Sequence, residues 1–226
     1  MAPRAAAVRR PRSKRARAGH AARLSPKLAA RYPDLRISLD WETPLELVVA
    51  TVLSAQCTDE RVNRVTKDLF PAYPTAEAYA AAALPALEDA VRPTGFFRNK
   101  ARNIKGLGER LVEAYGGEVP STMDDLLTLP GVARKTANVV LSNAFGIHAG
   151  VVVDTHVRRV AHRLGLTDET DPVRVERDLM ACLPPEEWHA FPWRLILHGR
   201  NVCKARRPAC DACPLAELCP SAHTFG

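Results

Sequence analysis

Apolar positions recur along most of this chain at three- and four-residue intervals, in stretches rich in Ala, Leu, Glu and Arg. That spacing puts them on one face of a helix. Strand-like runs are scarce. Val151–Val153 is the best candidate, and it is three residues long before a turn. The pattern predicts an all-α protein. Ser121-Thr122-Met123-Asp124 resembles a capping box and predicts a short helix ending near Leu127. Pro130 and Gly131 then break the chain. A second helix is expected over about residues 133–144, carrying Ala137, Val140 and Ala144 at helical spacing. No apolar run approaches the ~20 residues of a membrane-spanning helix, so no membrane partner is expected.

Chemistry enters at that break. Leu129-Pro130-Gly131-Val132-Ala133 runs straight into a helix with Arg134 and Lys135 in its first turn. First-turn N–H groups lack intrahelical acceptors and carry the positive end of the helix dipole. Gly131 lets the backbone approach a ligand, and a phosphate suits such a site. Lys135 has two readings. As a cation it grips phosphate; as a free amine it is a nucleophile. A free lysine has a pKa of about 10.4, which the helix terminus and Arg134 would lower and a nearby carboxylate would raise. Asp154 follows in Val151-Val152-Val153-Asp154-Thr155-His156, either as such a carboxylate or as the cap of a helix starting near Thr155.

Four of the six cysteines close the chain: Cys203, Cys210, Cys213 and Cys219, spaced C-x6-C-x2-C-x5-C. Thiolates this close suit a soft metal site, and zinc and an iron–sulfur cluster both fit the count. Two disulfides are the alternative, disfavoured by the lack of a secretory signal. Lys204, Arg206 and Arg207 lie between the first two ligands. They form either a basic knuckle for a second phosphate run or a solvated loop. Cys57 and Cys182 read as ordinary buried thiols.

Length and charge refine the picture. At 226 residues and 46% hydrophobic, the chain can bury a core as one domain or two small ones. The net charge of +7 is local. Eight Lys/Arg and no acid fall in residues 1–24, leaving 24 Lys/Arg against 25 Asp/Glu elsewhere. Residues 1–24 are therefore expected to form a basic disordered tail that adds salt-sensitive DNA affinity. An Arg-rich, acid-free start also resembles an organelle transit peptide; composition favours a bacterial tail.

The hairpin, Lys135 and Val-Asp-Thr-His segment resemble the endonuclease III family of the helix-hairpin-helix DNA glycosylase superfamily. The resemblance covers roughly residues 25–222. It takes in Leu53-Ser54-Ala55-Gln56 with Thr58-Asp59, Thr94-Gly95-Phe96-Phe97 with Lys100-Ala101, Gly117-Glu118-Val119-Pro120, and Leu195-Ile196-Leu197-His198-Gly199-Arg200.

The resemblance implies a helical-barrel domain over 38–148, inserted into a cluster domain of 25–37 plus 149–222, with a DNA cleft between them. It implies a [4Fe–4S] cluster on the four cysteines. It casts Lys135 as the nucleophile of a DNA glycosylase/AP lyase and Asp154 as its carboxylate. It puts Leu129, Gly131 and Ala133 of the hairpin on DNA, Gln56 against the orphaned partner base and Phe96 at an apolar wedge. Without it, Gln56 reads as a capping or buried amide, and at least one of Phe96 and Phe97 as core. The implied partner is duplex DNA with oxidised pyrimidines or abasic sites, met by a monomer in a bacterial cytoplasm. An adenine mismatch glycosylase of the same superfamily is the nearest rival. It generally lacks the lysine and carries a further C-terminal domain, whereas this chain ends seven residues after Cys219. A non-catalytic cluster module is the other, against which Lys135 and Asp154 together argue. One departure stands out. The family hairpin reads Gly-Val-Gly, and here Ala133 takes the last place; its methyl is harmless only if φ is negative.

Overall fold

A computed structural model describes residues 8–35 and 37–225. Among them every regular element is helical, as the pattern predicts. Val151–Val153 pairs with no strand; Val151 and Val152 are instead buried as core. The α-helices are α1 (Lys14–Arg31), α2 (Pro44–Leu53), α3 (Asp59–Ala72), α4 (Ala76–Ala81), α5 (Leu84–Val91), α6 (Phe97–Tyr115), α7 (Met123–Leu126), α8 (Arg134–Ala144), α9 (Thr155–Arg163), α10 (Pro172–Cys182) and α11 (Glu187–Asn201). They fall into two compact units, residues 36–149 and residues 1–35 with 150–226.

In the 36–149 unit, α2 is the central helix. Leu47, Val48, Val49, Ala50, Val52 and Leu53 are all buried, so it is apolar all round. Its start is fixed by a full capping box. The Glu46 amide donates to Thr43 Oγ1 at 3.2 Å, and the Thr43 amide to Glu46 Oε2 at 3.3 Å. The longest helix, α6, buries Ala101, Ile104, Leu107 and Leu111 along one stripe against α4 and α5. Thr122 caps α7 by accepting the Asp125 amide at 3.2 Å. The α8 helix packs on α2 and buries Ala137, Val140 and Leu141.

The other unit joins both ends of the chain. Leu24 and Leu28 of α1 pack in one cluster with Val157 and Val160 of α9, Leu179 of α10, Phe191 and Leu195 of α11, and Leu215. This corrects the expectation for residues 1–24. Their second half is not disordered: α1 begins at Lys14, capped by Ser13, whose Oγ accepts the Ala16 amide at 3.2 Å. The helix thus begins within the expected tail, ahead of the 25–37 segment assigned to the cluster domain, and ends at Arg31. The cause is burial of Ala21, Leu24 and Leu28, plus charge pairing. Arg10 bonds Asp168 at 2.8 Å and donates to the Thr167 carbonyl at 2.9 Å; Arg17 reaches Asp168 and, at 3.3 Å, Asp178. Several of the tail's cations are therefore held by the fold. Residues 1–7 of the expected tail lie outside the described residues.

Candidate functional site

The hairpin turns on Gly131, whose φ is +79°; a Cβ there would lie 2.9 Å from Asn103 Cβ. Only glycine fits both restrictions. The Val132 amide closes the turn by donating to the Leu129 carbonyl at 3.1 Å. Leu129, expected to contact DNA, turns its side chain into the core at 2% exposure and leaves only its main chain for a ligand. Ala133 is the N-cap of α8 with φ −97° and offers no side-chain cap. Its negative φ accepts a methyl without strain, so the departure from Gly-Val-Gly costs the hairpin nothing. Lys135 sits exposed on the first turn of α8.

Two turns of the same unit carry Gln56 and Phe96. Both residues are exposed, and both are left-handed, with φ of +53° and +50°. His223 is the one other non-glycine residue of this kind among those described. Side chains at such φ cost of order 1–2 kcal/mol per residue and collect at functional sites. Gln56 is neither a buried amide nor a side-chain cap. Phe96 stands 66% exposed, whereas Phe97 is half-buried between Arg92 and Arg98, 4.6 and 5.0 Å from its ring centre. Cys57, read as buried, is half-buried in the turn beside Gln56.

In the other unit Asp154 is the N-cap of α9. Its Oδ1 accepts the Val157 amide at 2.7 Å, the capping role the sequence also allowed. His156 lies a turn from Arg159, whose guanidinium approaches its Nδ1 at 3.2 Å. Burial lowers the imidazole pKa, Asp154 opposes that shift, and Arg159 adds to it.

The four C-terminal cysteines are half-buried, form no disulfide and line one pocket with Val160, Leu164, His198 and Ala216. Among the described residues no three such ligands converge on a single-ion position. Four thiols on one pocket suit a soft metal group, as their spacing predicts. Burial raises the thiol pKa of Cys213, and that of Cys219 to about 11, so a bound metal's charge would be needed to hold them as thiolates. Residues that sequence reasoning missed organise this site. Arg159 donates to the Gly199 carbonyl at 2.9 Å and to that of Cys203 at 3.0 Å. Arg163, one turn on and 7% exposed, donates to the Lys204 and Ala205 carbonyls at 2.8 and 2.7 Å and to Cys203 Sγ at 3.3 Å. His198 Nε2 lies 3.5 Å from Cys213 Sγ. The knuckle backbone is thus pinned inward, and Lys204, Arg206 and Arg207 are exposed. The only sequence signal was two arginines at i, i+4 on a short amphipathic helix.

Residues 49–185 match the model of the HhH-GPD superfamily of base excision DNA repair proteins, and residues 203–219 match the iron–sulfur binding domain of endonuclease III. The chain is 59% identical over 192 residues to endonuclease III of Synechocystis sp., covering 85% of this chain and 88% of that one. The chain belongs to the endonuclease III family. Its activity is base-excision repair, as a DNA glycosylase and AP lyase, and its thiol pocket is an iron–sulfur site. Among solved structures, a non-covalent endonuclease III–DNA complex matches with a TM-score of 0.87 and 46% identity, over 92% of this chain and 97% of that one. A trapped endonuclease III–DNA covalent intermediate, the estranged-adenine complex, matches with the same values. No helix among the described residues of this endonuclease III homologue is long and apolar enough to cross a membrane.

Proposed function

We propose that this enzyme excises oxidised pyrimidines from duplex DNA and then cuts the strand 3′ to the abasic sugar through a Schiff base on Lys135. The observation that carries the reading is the Gly131 hairpin, which presents Lys135 exposed on the first turn of a helix whose N-terminal N–H groups suit a phosphate. The deprotonated amine attacks the sugar C1′, the bond to the base breaks, and the base departs with its electron pair and takes up a proton. The amine's own proton is lost, with Asp154 assisting, and the ring opens to the iminium. Removal of a C2′ proton then expels the 3′ phosphate as the C3′–O bond breaks. Asp154 also stabilises positive charge developing on the sugar.

Base flipping opens a gap in the stack, at a cost of a few kcal/mol. Phe96 fills it as a wedge, and Gln56 meets the orphaned base with its amide. Their exposure and left-handed backbones support this reading. The Gly131 and Ala133 amides and the main chain at Leu129 hold one phosphate run; Lys204, Arg206 and Arg207 hold another. Cys203, Cys210, Cys213 and Cys219 hold the [4Fe–4S] cluster, which keeps the knuckle in place. The protein works as a monomer in the bacterial cytoplasm.

Borohydride trapping on duplex DNA with an abasic site tests the assignment. Wild type is expected to give a covalent adduct that Lys135→Gln abolishes. Failure of wild type to form one rejects the mechanism. A panel of damaged oligonucleotides tests the lesion class, and excision confined to adenine opposite a damaged guanine would replace it.

A further inference from the structure

Lys100 has no part in that chemistry, yet it is a lysine at 3% exposure. Lysines are almost never buried without a partner. Its ammonium Nζ donates to the Thr94 carbonyl at 2.8 Å. Thr94 is itself buried at 1% exposure, with its hydroxyl donating to the Val91 carbonyl at 2.8 Å. The two residues after Thr94 are the left-handed pair Gly95, φ +72°, and Phe96, φ +50°. The Phe96 carbonyl then accepts the Lys100 amide at 3.2 Å, opening α6. One residue therefore grips the turn at both ends, by side chain before it and by main chain after it. Cys57, next in the chain to Gln56, acts electrostatically on the same amine, opposing the lowering that burial imposes on its pKa.

The geometry points to Lys100 as the positioning residue that holds the Gly95–Phe96 turn in its strained form, so that the wedge stands ready before DNA arrives. This rests on the reading of Phe96 as the wedge. Without the ammonium, the Thr94 carbonyl is left buried and unpaired. Rotating that carbonyl toward water releases the turn and lets Phe96 relax to negative φ. A wedge that must be re-formed on each encounter opens the stack less often, and misplacement of about 1 Å costs up to about 100-fold in rate.

The test separates opening the stack from the chemistry. Base excision is measured in single turnovers on duplex DNA containing thymine glycol, and strand cleavage on single-stranded abasic DNA, where there is no stack to open. Lys100→Met is expected to slow duplex excision by about 10- to 100-fold and to leave single-strand cleavage within about twofold. In a Phe96→Ala background it should add almost nothing, because it acts through Phe96. Gly95→Ala strains the same turn without a clash, since a Cβ there meets nothing within 4 Å, and it should reproduce the selective loss. It decides alone if Lys100→Met does not fold by thermal unfolding. The proposal is overturned if folded Lys100→Met or Gly95→Ala keeps the wild-type duplex rate. It is equally overturned if single-strand cleavage falls in step, or if the Lys100 and Phe96 losses multiply. If Phe96→Ala itself excises normally, the wedge reading fails and this one with it.

Discussion

Asp154 Oδ1 accepts the Val157 amide at 2.7 Å, so the carboxylate assigned to the chemistry is also the cap of α9. The two roles separate by substitution. Asparagine caps nearly as well as aspartate but has no negative charge. Asp154→Asn should therefore keep its melting temperature while single-turnover excision falls at least about 100-fold. Asp154→Ala should lose the rate and also about 1 kcal/mol of stability, or about 2–4 °C in Tm. Equal melting of the Ala and Asn variants would count against the cap; equal rates in Asn and wild type would count against the chemistry.

Hairpin glycines and alanines should respond in opposite ways. Ala133 already has a negative φ, so Ala133→Gly should leave DNA affinity and activity within about twofold. Gly131→Ala adds a Cβ 2.9 Å from Asn103 Cβ at φ +79° and must distort the turn. Binding to abasic-analogue duplex should weaken by about tenfold or more, the effect of losing a charge-assisted hydrogen bond to phosphate. Fluorescence anisotropy reads both.

The basic knuckle should reveal itself through salt. If Lys204, Arg206 and Arg207 each neutralise one phosphate, replacing all three with Ala should flatten the slope of log K against log salt by about 2.7. Arg163→Met should give a smaller change of the same sign with all three cations still present, because the Lys204 and Ala205 carbonyls lose their donor. It should also speed loss of the iron–sulfur absorbance on exposure to chelator. An unchanged salt slope in the triple variant would make the loop a bystander.

His20 predicts a pH dependence of stability. It is 4% exposed, its Nε2 donates to the Leu164 carbonyl at 3.0 Å, and its Nδ1 accepts from Arg23 at 3.2 Å, an arrangement only neutral imidazole can make. Burial lowers its pKa below the ordinary value. The unfolded chain then binds a proton first as pH falls. This contribution is complete above about pH 6.5 and is lost as pH drops from there toward the lower folded-state pKa. Denaturant titrations of wild type and His20→Gln across that window should diverge at the neutral end and converge at the acid end. Parallel curves would remove His20 as the cause.

What could be read from the sequence was what local rules determine. The break at Pro130–Gly131, the Asp154 cap and the cysteine spacing depend on near neighbours and were legible; the box read at Ser121–Asp124 falls one residue on, at Thr122 and Asp125. Helix α1 was not. Its apolar face is sparse, set among Ala and Arg, and its partners Val160, Leu179 and Leu195 lie far along the chain. The left-handed backbones at Gln56 and Phe96 were equally hidden, since neither residue type signals positive φ. Nothing in the local sequence marks Arg163 and Lys100 as buried. Only the fold shows that carbonyls draw them inside.

The pairing of chain ends in one unit has a consequence for synthesis. Helix α1 emerges first, with Ala21, Leu24 and Leu28 ready to be covered, but its partners in α9, α10 and α11 come last. The contiguous 36–149 unit is complete well before them and can close its own core on the ribosome. During that interval the apolar face of α1 is open to chaperones and to proteases. Nascent chains arrested shortly after residue 149 should therefore resist cleavage within 36–149 while α1 is still cut. Resistance of α1 at that stage would mean that it has found another cover.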